Sequence, residues 1–214
     1  MNALLEAVIV LLVLTNLTVL GSSRIRTCIR LVALQGIMLG MLPLLAHGGV
    51  ITPRAVFLAV GTVGLKGIVF PILLLRALRE ANVRREDEPF VGYVLSILAG
   101  IGALAVAIWT SGRLNLPGPV VSPLVFPVSL FTILVGLFLI VSRRTALTQV
   151  LGYLVLENGI YTFAVVLVGE IPLMVELGVL LDIFVAVFVM GIAIYHISRE
   201  FDHIHVDQLD SLRG

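Results

Sequence analysis

Three ionisable side chains lie in the middle of long apolar stretches of this sequence: Lys66 in GTVGLKGIVF, Glu157 in GYLVLENGIY and Asp182 in GVLLDIFVAV. A charged group at the centre of a membrane-spanning helix costs roughly 2.5–3.5 kcal/mol on insertion scales, so such groups usually face protein or water and have a task. The chemistry open to them is the handling of protons or other small cations. We therefore expect Glu157, Asp182 and Lys66 to form the polar interior of a membrane protein.

The composition agrees with a membrane location. Of 214 residues, 59% are hydrophobic and 13% charged, and the mean hydropathy is +1.15, which is far from the usage of soluble domains. The single cysteine, Cys28, has no partner for an internal disulfide or a cysteine metal site. The first 21 residues lack the basic region and cleavage site of a signal peptide, so we expect them to remain as the first span.

A spanning helix needs about 20 mainly apolar residues. On this basis the chain is predicted to be an all-α, polytopic membrane protein with seven transmembrane helices, at residues 3–21, 28–47, 54–78, 90–110, 122–141, 146–168 and 172–197.

The basic residues indicate the topology. With the first connection placed in the cytoplasm, 11 of the 14 basic residues share that side, while Arg54 and Arg113 lie outside and Lys66 lies within the membrane. The positive-inside rule then predicts an external N-terminus and a cytoplasmic C-terminus. The cytoplasmic set is Arg24, Arg26, Arg30, Arg76, Arg79, Arg84, Arg85, Arg143, Arg144, Arg199 and Arg213.

Glycines and further polar residues mark contacts between spans. Gly36 and Gly40 form a G-x-x-x-G pattern on the second span, and glycines at 61, 64 and 67 recur every three residues on the third, which predicts close backbone approach. Lys66 lies in this glycine-rich stretch, so we expect its ammonium at a helix interface. Glu176 is predicted to be an entrance or interface residue. His47 and His196, at helix ends, are predicted to be interface residues.

The chain contains a predicted duplication. Spans 2 and 6 share an aliphatic run that ends in a polar residue, Gln35 or Glu157, and the span after each carries Lys66 or Asp182. An odd number of intervening spans makes the two units parallel. The predicted organisation is a first three-helix unit at 1–80, a spacer helix with loops at 81–121, a second three-helix unit at 122–197 and a cytoplasmic tail at 198–214.

These residues carry a resemblance to known families. The three-helix unit resembles the small K-type (NuoK-like) subunit of respiratory complex I and the matching C-type subunit of multisubunit cation/proton antiporters. Over the whole chain, LVALQGIMLG, the lysine-bearing third span and especially LVLENGIY are similar to component E of hydrogenase-4 and related formate hydrogenlyase-type complexes. In the resemblance Glu157 matches a glutamate of the K-type second helix, and Asp182 lies in the region of the third-helix one. The first unit departs from the pattern, because Gln35 cannot ionise and Lys66 has the opposite charge.

The resemblance implies a subunit of a complex I-like energy-converting complex in the cytoplasmic membrane of a prokaryote. Its partners would be antiporter-like and other membrane subunits as well as the lipid bilayer, with no nucleic acid and no small-molecule substrate. No nucleotide-binding, nucleophile or metal-binding motif occurs in the sequence, so we expect a non-catalytic subunit without cofactors or metal. The expected proton path consists of Glu157, Asp182, Lys66 and Gln35.

Three alternative functions compete with this hypothesis. A structural adaptor would use the buried charges only to hold antiporter-like subunits together. A stand-alone secondary transporter is disfavoured by the small size and by the lack of a broken-helix substrate site. A retinal protein is disfavoured because the lysine would be expected on the last span and carboxylates on the third, and here these are exchanged.

Overall fold

The computed structural model of the chain describes residues 2–46, 53–80, 89–114 and 122–167, and its elements are all helices. In chain order they are α1 (Asn2–Gly21), α2 (Ile25–Ala46), α3 (Pro53–Thr62), a π segment (Val63–Val69), α4 (Phe70–Glu80), α5 (Tyr93–Ser111), α6 (Val125–Ser142) and α7 (Ala146–Leu167). The all-α prediction is confirmed for the described part of the chain. The predicted span 172–197, with Glu176, Asp182 and His196, lies outside the described residues, as does His47.

Within the described ranges, five helical stretches are long and apolar enough to cross a membrane, and they coincide to within about five residues with the first five predicted spans. The sixth predicted span, 146–168, corresponds to α7, which has 22 residues and whose hydropathy is lowered by Gln149, Glu157 and Asn158. The total of seven spans stays a prediction. The five stretches are Ala3–Gly21, Ile25–Leu42, Ala59–Arg79, Tyr93–Ser111 and Val125–Ser142.

The third span is built from α3, the π segment and α4 without a break. The backbone N–H of Phe70 donates to the carbonyl oxygen of Leu65, five residues earlier, as a π-helical turn requires. Such turns are wider than α-helical ones and occur frequently at functional sites. Lys66 lies in this segment and is its buried residue. Apolar periodicity predicted a span here but gave no sign of the π turn.

A polar layer separates two apolar clusters in the bundle. One cluster lies toward the α1–α2 turn and includes Leu20, Ile29 and Leu139, while the other lies toward the opposite end and includes Leu5 and Leu39. Helices α1, α2 and α6 contribute to both clusters, and on α1 and α2 the buried polar residues lie between the two sets of apolar side chains. The buried members of the layer are Thr15, Asn16, Gln35, Lys66, Thr132, Glu157 and Asn158.

Glycines set the closest helix contacts. A methyl group at Gly36 would lie 2.6 Å from Cβ of Lys66, and one at Gly136 would lie 2.5 Å from Cα of Leu156. On the third span Gly67 faces Ile37, but Gly61 and Gly64 face no atom of the described residues. The close backbone approach expected at Gly61 and Gly64 involves none of the described residues and stays a prediction. A three-residue spacing is shorter than a helical turn and drifts around the helix, and the wider π turns change its facing further.

An arginine that the topology rule placed at a loop is buried. The Arg143 guanidinium, 2% exposed, donates from Nη2 to the carbonyl oxygen of Leu20 at 2.7 Å and lies 4.8 Å from the ring centre of Tyr93. It thereby satisfies a carbonyl in the last turn of α1, where no intrahelical donor is available. This bond places the α1–α2 and α6–α7 turns at the same end of the bundle, in agreement with the predicted grouping of their arginines.

Candidate functional site

The centre of the polar layer is an ion pair between the third span and α7. Nζ of Lys66 donates to Oε1 of Glu157 at 2.5 Å, and the two side chains are only 5% and 3% exposed. Burial strengthens their attraction, but removing either partner would leave an uncompensated charge inside the bundle. The second carboxylate oxygen, Oε2 of Glu157, is buried and accepts no hydrogen bond from the described residues. One oxygen is thus held by the lysine, and the other can accept a proton.

Asn158 and Tyr161 complete the surroundings of the lysine. Nζ of Lys66 also donates to Oδ1 of Asn158 at 3.3 Å and lies 5.1 Å from the ring centre of Tyr161, within the range of a cation–π contact. The hydroxyl of Thr62, one turn before the lysine, donates to the phenolic oxygen of Tyr161 at 3.1 Å. The ammonium is therefore fixed from several sides by α7.

From Asn158 a hydrogen-bonded chain continues across α2 and α1 to α6. Nδ2 of Asn158 donates to Oε1 of Gln35 at 3.2 Å, and Nε2 of Gln35 donates to Oδ1 of Asn16 at 2.8 Å. Nδ2 of Asn16 donates to Oγ1 of Thr132 at 2.9 Å. These four side chains are at most 1% exposed. Polar residues from both halves of the chain thus form one connected group.

The local sequence explains how the lysine reaches this position. Gly36 follows Gln35 on α2 and lies directly against Cβ and the backbone of Lys66. Without a side chain at Gly36, the π segment approaches α2 closely, and the lysine side chain extends to α7. The expectation that Lys66 lies at a crowded helix interface is confirmed by this packing.

The structure brings together three of the predicted site residues, Lys66, Glu157 and Gln35. It shows Lys66 as the charge partner of Glu157. Asp182, which is also expected in the polar interior, lies outside the described residues, so its place there stays a prediction.

Sequence reasoning gave no role to Asn158, Asn16, Thr132 or Thr15. A usable signal was present, because Thr15, Asn16 and Thr132 are polar residues within mainly apolar spans.

Comparison with known proteins agrees with this arrangement. Residues 124–214 match the family described as NADH-ubiquinone/plastoquinone oxidoreductase chain 4L. An uncharacterized protein of Mycobacterium tuberculosis is 36% identical over 208 residues, which cover 94% of this chain and 92% of that protein. Hydrogenase-4 component E of Escherichia coli K12 is 27% identical over 149 residues, which cover 70% of this chain and 69% of that protein. No solved structure matches the chain.

The matches cover both halves of the chain. The chain 4L family covers the second half, including Glu157 and the closely packed α6 and α7. The similarity to the mycobacterial protein extends over nearly the whole sequence, so it also includes the half that supplies Lys66 and Gln35. With its helical, apolar build, the chain belongs to the hydrogenase-4 component E-like family of membrane subunits, and its second half is of the complex I chain 4L type.

Proposed function

We propose that this chain is a membrane-arm subunit of a complex I-like, membrane-bound hydrogenase-type energy-converting complex, and that its buried Lys66–Glu157 pair takes part in proton translocation. The observation that supports this most strongly is the pair itself, with Nζ and Oε1 2.5 Å apart at the centre of an apolar bundle. Family membership supports the assignment to such a complex. The pair supports a role in moving charge.

The electrostatics of the pair suit coupling between subunits. With Lys66 charged and Glu157 ionised the site is neutral, and a proton added at Oε2 of Glu157 leaves a net positive charge in a low-dielectric interior. Such a charge is costly unless a negative group approaches or another positive group withdraws. Proton occupancy of Glu157 therefore depends on charges in neighbouring subunits, which is the requirement for a coupled pump.

The described contacts favour protons over sodium ions. Sodium would need several oxygen ligands around the carboxylate, but the ammonium of Lys66 already occupies the cation position against Oε1 of Glu157 and Oδ1 of Asn158. A proton needs only the open oxygen Oε2. We accordingly assign the proton as the transported ion.

The remaining features of the proposal follow from the family. Redox catalysis and cofactors belong to partner subunits, and this chain binds antiporter-like membrane subunits and lipid in the cytoplasmic membrane of a prokaryote. The grouping of the basic residues supports an N-terminus outside and a C-terminus in the cytoplasm. In the described residues, large apolar side chains on the bundle surface, such as Phe57, Val94 and Val141, are available for contact with lipid or partner helices.

A structural adaptor remains the alternative, because a buried ion pair also fixes how helices assemble. The two functions are separated by Lys66→Met, Glu157→Gln and the double variant, each in the complete complex. Either single change leaves one buried charge unpaired and should cost about 3–5 kcal/mol, whereas the double change removes both charges and should be close to neutral. We expect the double variant to assemble at nearly the wild-type level on native gels.

Translocation is then measured as protons moved per electron transferred in membrane vesicles. The proton-path function predicts that the assembled double variant has lost most or all of its translocation while electron transfer continues. Glu6→Gln is the matched control, because it makes the same chemical change at an exposed glutamate. An assembled double variant with the wild-type ratio would support the adaptor and exclude the proton path through Glu157.

A further inference from the structure

Three buried carboxamides lie in series between Lys66 and Thr132. Asn158, Gln35 and Asn16 come from α7, α2 and α1, and the hydrogen bonds between neighbours measure 3.3, 3.2, 2.8 and 2.9 Å from the lysine to the threonine. We refer to these three side chains as the carboxamide chain. It connects the ammonium to a hydroxyl on α6 that does not itself touch the ion pair.

The charge of the lysine determines the direction of every bond in the carboxamide chain. An ammonium has three donors and no acceptor, so Asn158 must present Oδ1 to it. Nδ2 of Asn158 is then directed at Gln35, which must offer Oε1, and Nε2 of Gln35 in turn faces Oδ1 of Asn16. Oγ1 of Thr132 accepts the last hydrogen bond, from Nδ2 of Asn16, so the threonine hydroxyl must donate to another group. All carbonyl oxygens thereby point toward the lysine and all amide N–H groups away from it.

The end of the carboxamide chain is consistent with this direction. The hydroxyl of Thr132 donates to the carbonyl oxygen of Val128 at 2.7 Å, which closes the series at the backbone of α6. The second N–H of Gln35 is used as well, since Nε2 donates to Oγ1 of Thr15 at 2.9 Å, and that hydroxyl donates to the carbonyl oxygen of Leu11 at 2.8 Å. Every oxygen and nitrogen of the three carboxamides thus has at least one hydrogen-bond partner, and polar networks of this kind rigidify a core and specify one arrangement.

We propose that the carboxamide chain positions the Lys66 ammonium and does not conduct protons. Carboxamides neither gain nor lose protons readily, so a series of them interrupts a proton path, while their aligned dipoles present oxygen to the positive charge. Proton exchange is then confined to the other side of the pair, at Oε2 of Glu157. Asn158, Gln35 and Asn16 are positioning residues, and this changes the expected place of Gln35 in the proton path. Their role in translocation rests on the proposed function, but their coupling to Lys66 does not.

The test uses Thr132, four hydrogen bonds away from the lysine. Thr132→Val keeps the shape of the side chain and removes the acceptor, which leaves a buried N–H of Asn16 without a partner. Thr132→Ser keeps the hydroxyl and is the matched control. We expect Thr132→Val to lower the melting temperature of the assembled complex by about 2–4 °C, and Thr132→Ser to restore most of the loss. The proton-to-electron ratio should fall with valine and not with serine.

The same two substitutions are then made together with Lys66→Met and Glu157→Gln. Without the ammonium each carboxamide can exchange the positions of its oxygen and its NH₂ group. Asn16 then directs its oxygen, and not an N–H, toward position 132. We expect the melting-temperature loss from Thr132→Val to fall by at least half. Distant residues without shared partners have additive effects, so this coupling would be evidence for the chain.

The proposal would be overturned if Thr132→Val lowered the melting temperature equally in the wild-type chain and in the Lys66→Met, Glu157→Gln variant. It would also be overturned if valine and serine at position 132 gave the same melting temperature. Failure of Thr132→Val to assemble only when Lys66 is present would support it, and failure in both backgrounds would overturn it. The stability cycle requires no transport measurement, so its result is independent of whether Glu157 carries protons.

Discussion

Translocation should be sensitive to substitution of Gly36, because this residue sets the distance between α2 and the lysine. A methyl group at this position would lie 2.6 Å from Cβ of Lys66, 2.8 Å from its carbonyl carbon and 3.0 Å from its carbonyl oxygen. Ordinary carbon–carbon contacts are about 3.5–4.0 Å. The obstacles are backbone atoms and a Cβ, so a change of rotamer cannot relieve the clash. In Gly36→Ala the π segment must move away from α2 by on the order of 1 Å.

The size of the effect follows from this displacement. Overpacking of a well-packed interface costs about 1–3 kcal/mol, and the higher helix propensity of alanine returns about 0.5–1 kcal/mol. The bond from Lys66 to Asn158, at 3.3 Å, is already at the upper end of the hydrogen-bond range and should break first. A misplacement of about 1 Å at a reacting centre can reduce a rate by on the order of a hundredfold. We therefore expect a modest loss of stability and a large loss of translocation.

The assay is the melting temperature of the complete complex together with its proton-to-electron ratio in vesicles. Gly61→Ala is the matched control on the same span, because a methyl group there meets no atom of the described residues within 4 Å. Gly102→Ala on the exposed face of α5 is a second control with equally open surroundings. Both controls should retain wild-type translocation. Wild-type stability and translocation in Gly36→Ala would refute the packing of the π segment against α2 at this point.

Two further predictions concern the fold. Gly136→Ala should reduce the yield of assembled complex more than Gly36→Ala does, because its methyl group would meet Cα and Cβ of Leu156 at 2.5 and 2.6 Å; a normal yield on native gels would contradict this contact. In a variant without the native Cys28, cysteine introduced at Asn115 should react with an impermeant thiol reagent from outside, and cysteine at Arg84 should not; the opposite result would reverse the predicted topology.

The positions of the spans could be predicted from the sequence because length and hydropathy determine them. The glycine-rich stretch around Lys66 also indicated that its ammonium lies at a helix interface. The ion pair was harder to predict, since Lys66 and Glu157 are 91 residues apart and the sequence alone could not rank their possible partners. The π segment was not predictable, because its i→i+5 turns have no periodic signature in an apolar span.

The carboxamide chain was missed for a different reason. Asn16 and Thr132 are uncharged, and a single asparagine or threonine in a spanning helix is usually satisfied locally, as when Thr18 donates to the carbonyl oxygen of Leu14 at 2.7 Å. Only the packing of α1, α2 and α6 shows that these side chains meet at one depth. Buried polar groups need partners, so several uncharged polar residues at the same depth in different spans should be considered together.

The site requires both predicted units of the chain. The first unit supplies the lysine, Gln35 and Asn16, and the second supplies Glu157, Asn158 and Thr132, so every hydrogen bond from Lys66 crosses between the units. A second unit alone would hold Glu157 in an apolar bundle without this cation, and a buried charge without a partner costs several kcal/mol. In the predicted duplication Gln35 corresponds to Glu157, and as a neutral residue it both donates and accepts within the carboxamide chain. An amide at this position leaves Glu157 as the one carboxylate of the polar layer among the described residues, where polar residues of the other predicted unit support it.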